Sequence, residues 1–267
     1  MKLGLVTYNL AKDWDLDRIV EMCSAHGFQG VELRTTHAHG VEVSLDGRRR
    51  DQVRRKFQDG PVALAGLGSA FEYHSNDPAE VRRNIEGTKE YAQLAADVGA
   101  PGIKVRPNGL QTDKGVPEGT TLRQIGESLA ECGEYAAGLG VQVRLEVHGN
   151  LTSEPARIRK IMDCADHPNA LVCWNSNPGE VADGSIESNF NLLADRIALV
   201  HMRDLCARDY PWLELFRLLR RKSYDGFCLA EIPESDQPHR IMGYCRSLWD
   251  ACHRILDLEA TAGSPRD

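Results

Sequence analysis

Short apolar runs recur about every 30 residues along this chain, and between them the apolar residues take up helical spacing. The runs are KLGLVTY (2–8), GVELR (30–34), PVALAGLG (61–68), GIKVR (102–106), VQVRLEVHG (141–149), ALVCWN (170–175), IALVHMR (197–203) and GFCLAEI (226–232). Helical spacing covers 15–27, 78–99, 120–140, 154–166, 210–222 and 238–256, with a weaker pattern at 186–195 carried by Ile186, Phe190, Leu192 and Leu193. HGFQGVEL, VGAPGIKV and YDGFCLAE echo one another, each running from a helix end through glycine into a strand.

Alternation of this kind implies parallel strands joined by right-handed crossovers. Eight units fit a closed (β/α)8 TIM barrel better than an open doubly wound sheet, and no G-x-G-x-x-G follows the first run. No Gly, Ser or Pro-rich linker divides the chain, so one domain is expected over 1–257, followed by a flexible tail, 258–267, reading LEATAGSPRD. The apolar fraction of 42% is ample for a core of that size.

No apolar run approaches the roughly 20 residues of a membrane span. The opening MKLGLVTYNLAKDWD lacks the basic and apolar regions of a signal peptide. A soluble, cytoplasmic protein is expected, and the net charge of -7 argues against general nucleic-acid binding. The eight cysteines form no C-x-x-C pair, which predicts reduced, packed thiols.

The fifth run contains RLEVHGN, in which Arg144, Glu146 and His148 occupy alternate positions. Side chains at i, i+2 and i+4 of a strand share a face, so three charged or polar groups point one way while Val143, Leu145 and Val147 point the other. Burying unpaired charge is costly, so this face belongs to a polar site or to ion pairs such as Arg144 with Glu32 or Glu231. In a barrel of this type the functional face lies at the C-terminal strand ends. Those ends carry Tyr8 and Asn9; Glu32 and Arg34, then His37 and His39; Ser69, Glu72 and His74; Lys104, Arg106 and Asn108; Glu146 and His148; Asn175 and Asn177; His201, Arg203 and Asp204; and Glu231. Two carboxylates, an imidazole and an amide oxygen from strands five to eight can converge on a hard or borderline divalent ion.

With KLGLVTYNL, HGFQGVELR, LEVHG, HMRDL and FCLAEI, the chain resembles the xylose-isomerase-like TIM barrels. That family includes sugar and sugar-phosphate isomerases and epimerases, inosose dehydratases and apurinic endonucleases. By position, the resemblance implies a divalent metal, manganese by preference with Mg, Co or Zn as alternatives, held by Glu146, Asn175, His201 and Glu231. Strand six departs from the family pattern: in WNSNP, Asn175 stands where the family has Asp and Pro178 where it has His. The ligand set then carries about two negative charges rather than three, which lowers metal affinity.

The resemblance implies an isomerase or epimerase that abstracts a proton beside a carbonyl, with Glu146 and Glu231 as the catalytic pair. The substrate is a small carbohydrate, for which His37, His74, Lys104, Arg106, His148, Asn177 and Arg203 are the candidate contacts. Lys104, Arg106, Arg34 and Arg203 form a cationic rim suited to phosphate or carboxylate, or to neutralising the glutamates. The segment 107–121, PNGLQTDKGVPEGTT, is long for its place and reads as a lid or a contact of a homo-oligomer. Competing readings are a keto-sugar or inosose-type dehydratase on the same site, a non-catalytic carbohydrate-binding barrel, and an apurinic endonuclease. Pro178, Lys104 and Arg106 ill suit the last, which needs a multi-zinc cluster.

Overall fold

Eight parallel strands close into a barrel in sequence order. The computed structural model describes residues 1–262. The strands are β1 (Lys2–Val6), β2 (Gly30–Arg34), β3 (Ala63–Glu72), β4 (Gly102–Arg106), β5 (Gln142–Glu146), β6 (Ala170–Trp174), β7 (Ile197–Met202) and β8 (Phe227–Ala230). Closure is made by β1 against β8, with Leu3 opposite Cys228 and Gly4 opposite Leu229. All eight predicted strands are present. The fifth ends at Glu146 rather than at 149, and the third runs on to Glu72.

The shell consists of α1 (Leu16–Ala25), α2 (Gly47–Gln58), α3 (Pro78–Val98), α4 (Glu118–Ala137), α5 (Pro155–Ala165), α6 (Glu187–Leu193), α7 (Trp212–Arg221) and α8 (Pro238–Ala262). Asp15, Asp46 and Asp77 cap α1, α2 and α3 by accepting backbone N–H bonds at 2.8–2.9 Å. Two elements differ from the sequence reading. Apolar spacing did not predict α2, because GRRRDQVRRKFQ buries only Val53 and Phe57, one turn apart. Of the tail expected over 258–267, residues 258–262 are helical, since α8 continues through Ala262; Arg217 pairs with Glu259 at 2.7 Å and extends the packing there. Residues 263–267 lie outside the described residues. No helix among the described residues is long and apolar enough to cross a membrane.

Strand alternation divides the apolar residues into two cores. Outward-facing Leu3, Leu5, Val31, Leu33, Ile103, Val105, Val143, Leu145, Val172 and Val200 pack beneath the helices, within the large core. Inside the barrel the apolar cluster is small: Val6, Ala65, Cys173, Leu199 and Leu229. Above it the interior is charged, and glycines make the room. A Cβ at Gly68 would lie 2.7 Å from Glu32 Oε1, and one at Gly102 would lie 2.6 Å from Arg144 Nε. Between Val31 and Glu32 the β2–β3 register slips, so that Glu32 comes opposite Gly66. Arg144 does not form the ion pair considered above. It donates to Gln142 Oε1 at 3.0 and 2.8 Å and to the Ala65 carbonyl at 2.9 Å. With its guanidinium pinned by three bonds in a closed barrel, Arg144 cannot retreat from a new methyl group. Gly102→Ala is expected to destabilise the fold by about 1–3 kcal/mol, read by denaturant unfolding.

The turn after β6 is fastened by a buried carboxylate. Glu180 Oε2 accepts the Tyr210 hydroxyl at 2.7 Å and Oε1 accepts Asn177 Nδ2 at 3.0 Å, while Trp174 Nε1 donates to Tyr210 at 3.0 Å. Burial pushes the Glu180 carboxyl up from 4.5 to about 8, against the hydrogen bonds from Tyr210 and Asn177. The folded state thus binds a proton that the unfolded chain releases near pH 4.5. Stability is fully present below that value and falls as pH rises towards about 8. Melting temperatures across pH 5–9 are expected to decline less steeply in Glu180→Gln than in the wild type, roughly over this window.

Candidate active site

The strand ends bring Glu146, His201 and Glu231 together, each offering one ligand atom within 4.8 Å of the others. His201 Nδ1 lies 3.3 Å from Glu146 Oε1 and 3.5 Å from Glu231 Oε1. On the far side of the ring, Nε2 lies 3.3 Å from Glu32 Oε1. The His201 and Glu32 side chains are 1% exposed and Glu146 4%, whereas Glu231, at 22%, is the one that meets solvent. Glu32 therefore backs the imidazole while the other two carboxylates share its opposite nitrogen. The Glu32 oxygens and His201 Nε2, all buried, make only this ion-pair approach and have no aligned hydrogen-bond partner.

Lys104 enters the cluster from β4, with Nζ 2.8 Å from Glu146 Oε2. Burial works against the charged form of Glu146, but the Lys104 ammonium, His201 and His148 outweigh it and hold the carboxyl well below the usual range. Burial likewise opposes the Lys104 charge, and Glu146 and Glu32 overcome it, raising the Lys104 pKa. For His201, burial opposes protonation, yet Cys173, Glu32 and Glu146 around the ring raise its pKa well above the ordinary value. Asn175 donates from Nδ2 to Glu146 Oε1 at 3.3 Å, and its oxygen accepts the Ser176 backbone N–H at 2.8 Å. Ligation through that oxygen requires the amide to turn and give up the Ser176 bond.

A polar cavity of about 180 Å³ opens on this cluster. Of the predicted substrate contacts, Lys104, Arg106 and His148 line it. His148 keeps a buried Nδ1 without a partner, and Arg106 pairs with Glu72 at 2.5 Å. Four others do not line it. His37 sits 3.0 Å from Thr7 Oγ1, and burial, His39 and Arg34 push its pKa down to about 4. His74 lies 3.7 Å from Glu72. Asn177 bonds the Val147 carbonyl at 2.6 Å and Glu180. Arg203 turns away to Asp209 at 3.2 Å. Three further polar residues line the cavity that were not among the predicted ligands or substrate contacts: Tyr8, Glu32, considered only as a partner for Arg144, and Arg34, placed only in the cationic rim. Their signal was present, because Glu32 and Arg34 alternate with Val31 and Leu33 as Glu146 alternates with Leu145.

The donors fit a divalent ion. Two carboxylate oxygens and an imidazole nitrogen lie within 4.8 Å of one another, and a third carboxylate, Glu32, stands behind the histidine, where a metal-bound imidazole usually finds its support. Lys104 binds the Glu146 oxygen that points away from the histidine, leaving Oε1 on the cluster side.

No curated protein matches the sequence. Among solved structures, D-psicose 3-epimerase from Clostridium cellulolyticum H10, determined with D-tagatose, superimposes with a TM-score of 0.78 at 15% identity, covering 96% of this chain and 99% of that one. The IOLI protein with a bound zinc atom gives 0.75 at 16% identity, over 95% and 96% of the two chains. The probable 3-DHS dehydratase AsbF from Bacillus anthracis gives 0.72 at 18%, over 94% and 99%. At such identities the likeness establishes the fold. The family model for the xylose isomerase-like TIM barrel matches residues 20–248, and the chain belongs to that family.

Proposed function

We propose that this protein is a metal-dependent epimerase or isomerase of a monosaccharide-sized keto-sugar, moving a proton on and off a carbon beside the carbonyl. The observation that carries this reading is the convergence of Glu146, His201 and Glu231 at one mouth of the barrel. Epimerases among the similar structures support it. Glu146, His201 and Glu231 would hold the ion, with Asn175 as a fourth donor after its amide turns; manganese is the first candidate, and Mg, Co or Zn are alternatives. When bound, such an ion polarises a substrate carbonyl and makes the neighbouring C–H acidic.

The protein's own groups supply the proton transfer. Glu231, partly exposed, is placed to accept a proton from substrate in the cavity. Glu146, held ionised by Lys104, is the second carboxylate, and a base on each side of a carbon inverts its configuration. Glu32 backs the His201 ring at 3.3 Å, and His148 offers a nitrogen without a partner among the described residues to a sugar hydroxyl. The same base would serve a dehydratase, a reading favoured by the similarity to AsbF; loss of water from the product separates the two.

In heavy water, the protein is expected to wash deuterium into a ketohexose such as D-tagatose, and a chelator should abolish this. Glu146→Gln and Glu231→Gln should each slow the exchange by about 10²–10⁴-fold. Exchange that survives both chelation and Glu146→Gln overturns the reading. Asn175→Asp adds a negative charge beside Glu146 and keeps an acceptor for Ser176. Calorimetry on stripped protein is expected to show divalent-ion affinity rising by about tenfold.

A further inference from the structure

The cations around the cavity are nearly all neutralised by the protein itself. Lys104 pairs with Glu146 at 2.8 Å and Arg106 with Glu72 at 2.5 Å, while Arg203 turns out to Asp209 at 3.2 Å. Deeper in the barrel Arg144 is held by Gln142 and a backbone carbonyl. Arg34 is different. Its guanidinium lines the cavity and has no acidic partner among the described residues. Glu32, two positions back on the same strand, is turned to His201 instead.

The Arg34 side chain rests instead on an aromatic ring. Its guanidinium carbon lies 4.7 Å from the centre of the Tyr8 ring, which also lines the cavity. Its backbone N–H donates to Thr7 Oγ1 at 2.9 Å, tying the end of β2 to that of β1. A guanidinium stacked on a ring keeps its edge N–H groups free, and that edge matches the two oxygens of a carboxylate. A neutral sugar would leave this charge without a counter-ion in a partly enclosed wall. Phosphoryl groups are commonly gripped by several cations or by a helix N-terminus, whereas here one guanidinium is free and the cavity measures about 180 Å³.

We propose that Arg34, stacked on Tyr8, binds a carboxylate of the substrate, so that the preferred ligand is a keto-sugar acid of monosaccharide size. This rests on the reading of the cavity as a keto-sugar site. It makes Arg34 the residue that selects the acid over the neutral sugar, with the acid end of the substrate near β1 and β2 and the carbonyl end near Glu146, His201 and Glu231.

The test is calorimetric binding of D-tagatose and of D-tagaturonate, its relative with a terminal carboxylate, to metal-loaded wild type, Arg34→Gln and Arg34→Lys. The acid is expected to bind the wild type at least tenfold more tightly than the neutral sugar. That ratio should fall towards one in Arg34→Gln and take an intermediate value in Arg34→Lys, which keeps the charge and loses the fork. Equal binding by the wild type, or a preference that survives Arg34→Gln, overturns the proposal. Deuterium exchange, measured on the same samples, keeps the two readings apart. Acid preference lost in Arg34→Gln without exchange into either compound supports the carboxylate site and removes the epimerase reading; exchange into tagatose with no acid preference does the reverse.

Discussion

His201 stands between carboxylates, with Glu32 on one ring nitrogen and Glu146 and Glu231 on the other, and the upper half of the barrel is organised around that stack. Three acids so close together repel one another and lose their hydration, a cost of several kcal/mol for each buried ion unless opposite charge is supplied. Lys104 supplies part of it from β4, and the acids in turn raise the pKa of the His201 ring that stands between them. The rest of the interior follows from accommodating these groups. Gly68 and Gly102 stand where side chains would collide with Glu32 and Arg144, and the slip in β2–β3 register brings Glu32 over Gly66.

This arrangement exchanges apolar packing inside the barrel for a site held ready. A barrel of this kind is ordinarily filled by layers of branched aliphatic side chains. Here the apolar layer is reduced to Val6, Ala65, Cys173, Leu199 and Leu229, and cohesion comes from the outer core between strands and helices. Glu32, Lys104, Glu146 and His201 sit on paired strands and Glu231 on the residue that follows β8, so their positions depend on the barrel register. The loops add fastening: Glu180, Tyr210 and Trp174 lock the turn after β6, and Ser176 accepts the Arg203 backbone N–H at 2.7 Å, joining the ends of β6 and β7.

Much of the fold was legible because successive strand side chains point to opposite faces, here an apolar outer core and a polar interior. Val143, Leu145 and Val147 set against Arg144, Glu146 and His148 announced both the outer core and a polar interior. The helix α2 was not legible, since two apolar residues in a run of arginines carry little periodic signal. Among the site residues, Glu146, His201 and Glu231 could be read from their places at strand ends. His37, His74, Asn177 and Arg203 occupy equivalent places in sequence but are drawn off by Thr7, Glu72, Glu180 and Asp209. Nothing in strand spacing encodes which neighbour a side chain past the last strand residue will meet.

By itself the sequence determined the eightfold alternation, the end of the barrel at which polar groups gather, and the uncharged side chain of Asn175 at the end of β6. These are properties of spacing and residue type, and the chain carries them locally. Only the tertiary structure decided which charges neutralise which. Lys104 is bound to Glu146, Arg106 to Glu72 and Arg144 to neutral acceptors, leaving Arg34 on Tyr8 without an acidic partner among the described residues. Ion pairing depends on distances between strands, which come into being when β1 meets β8 and the barrel closes.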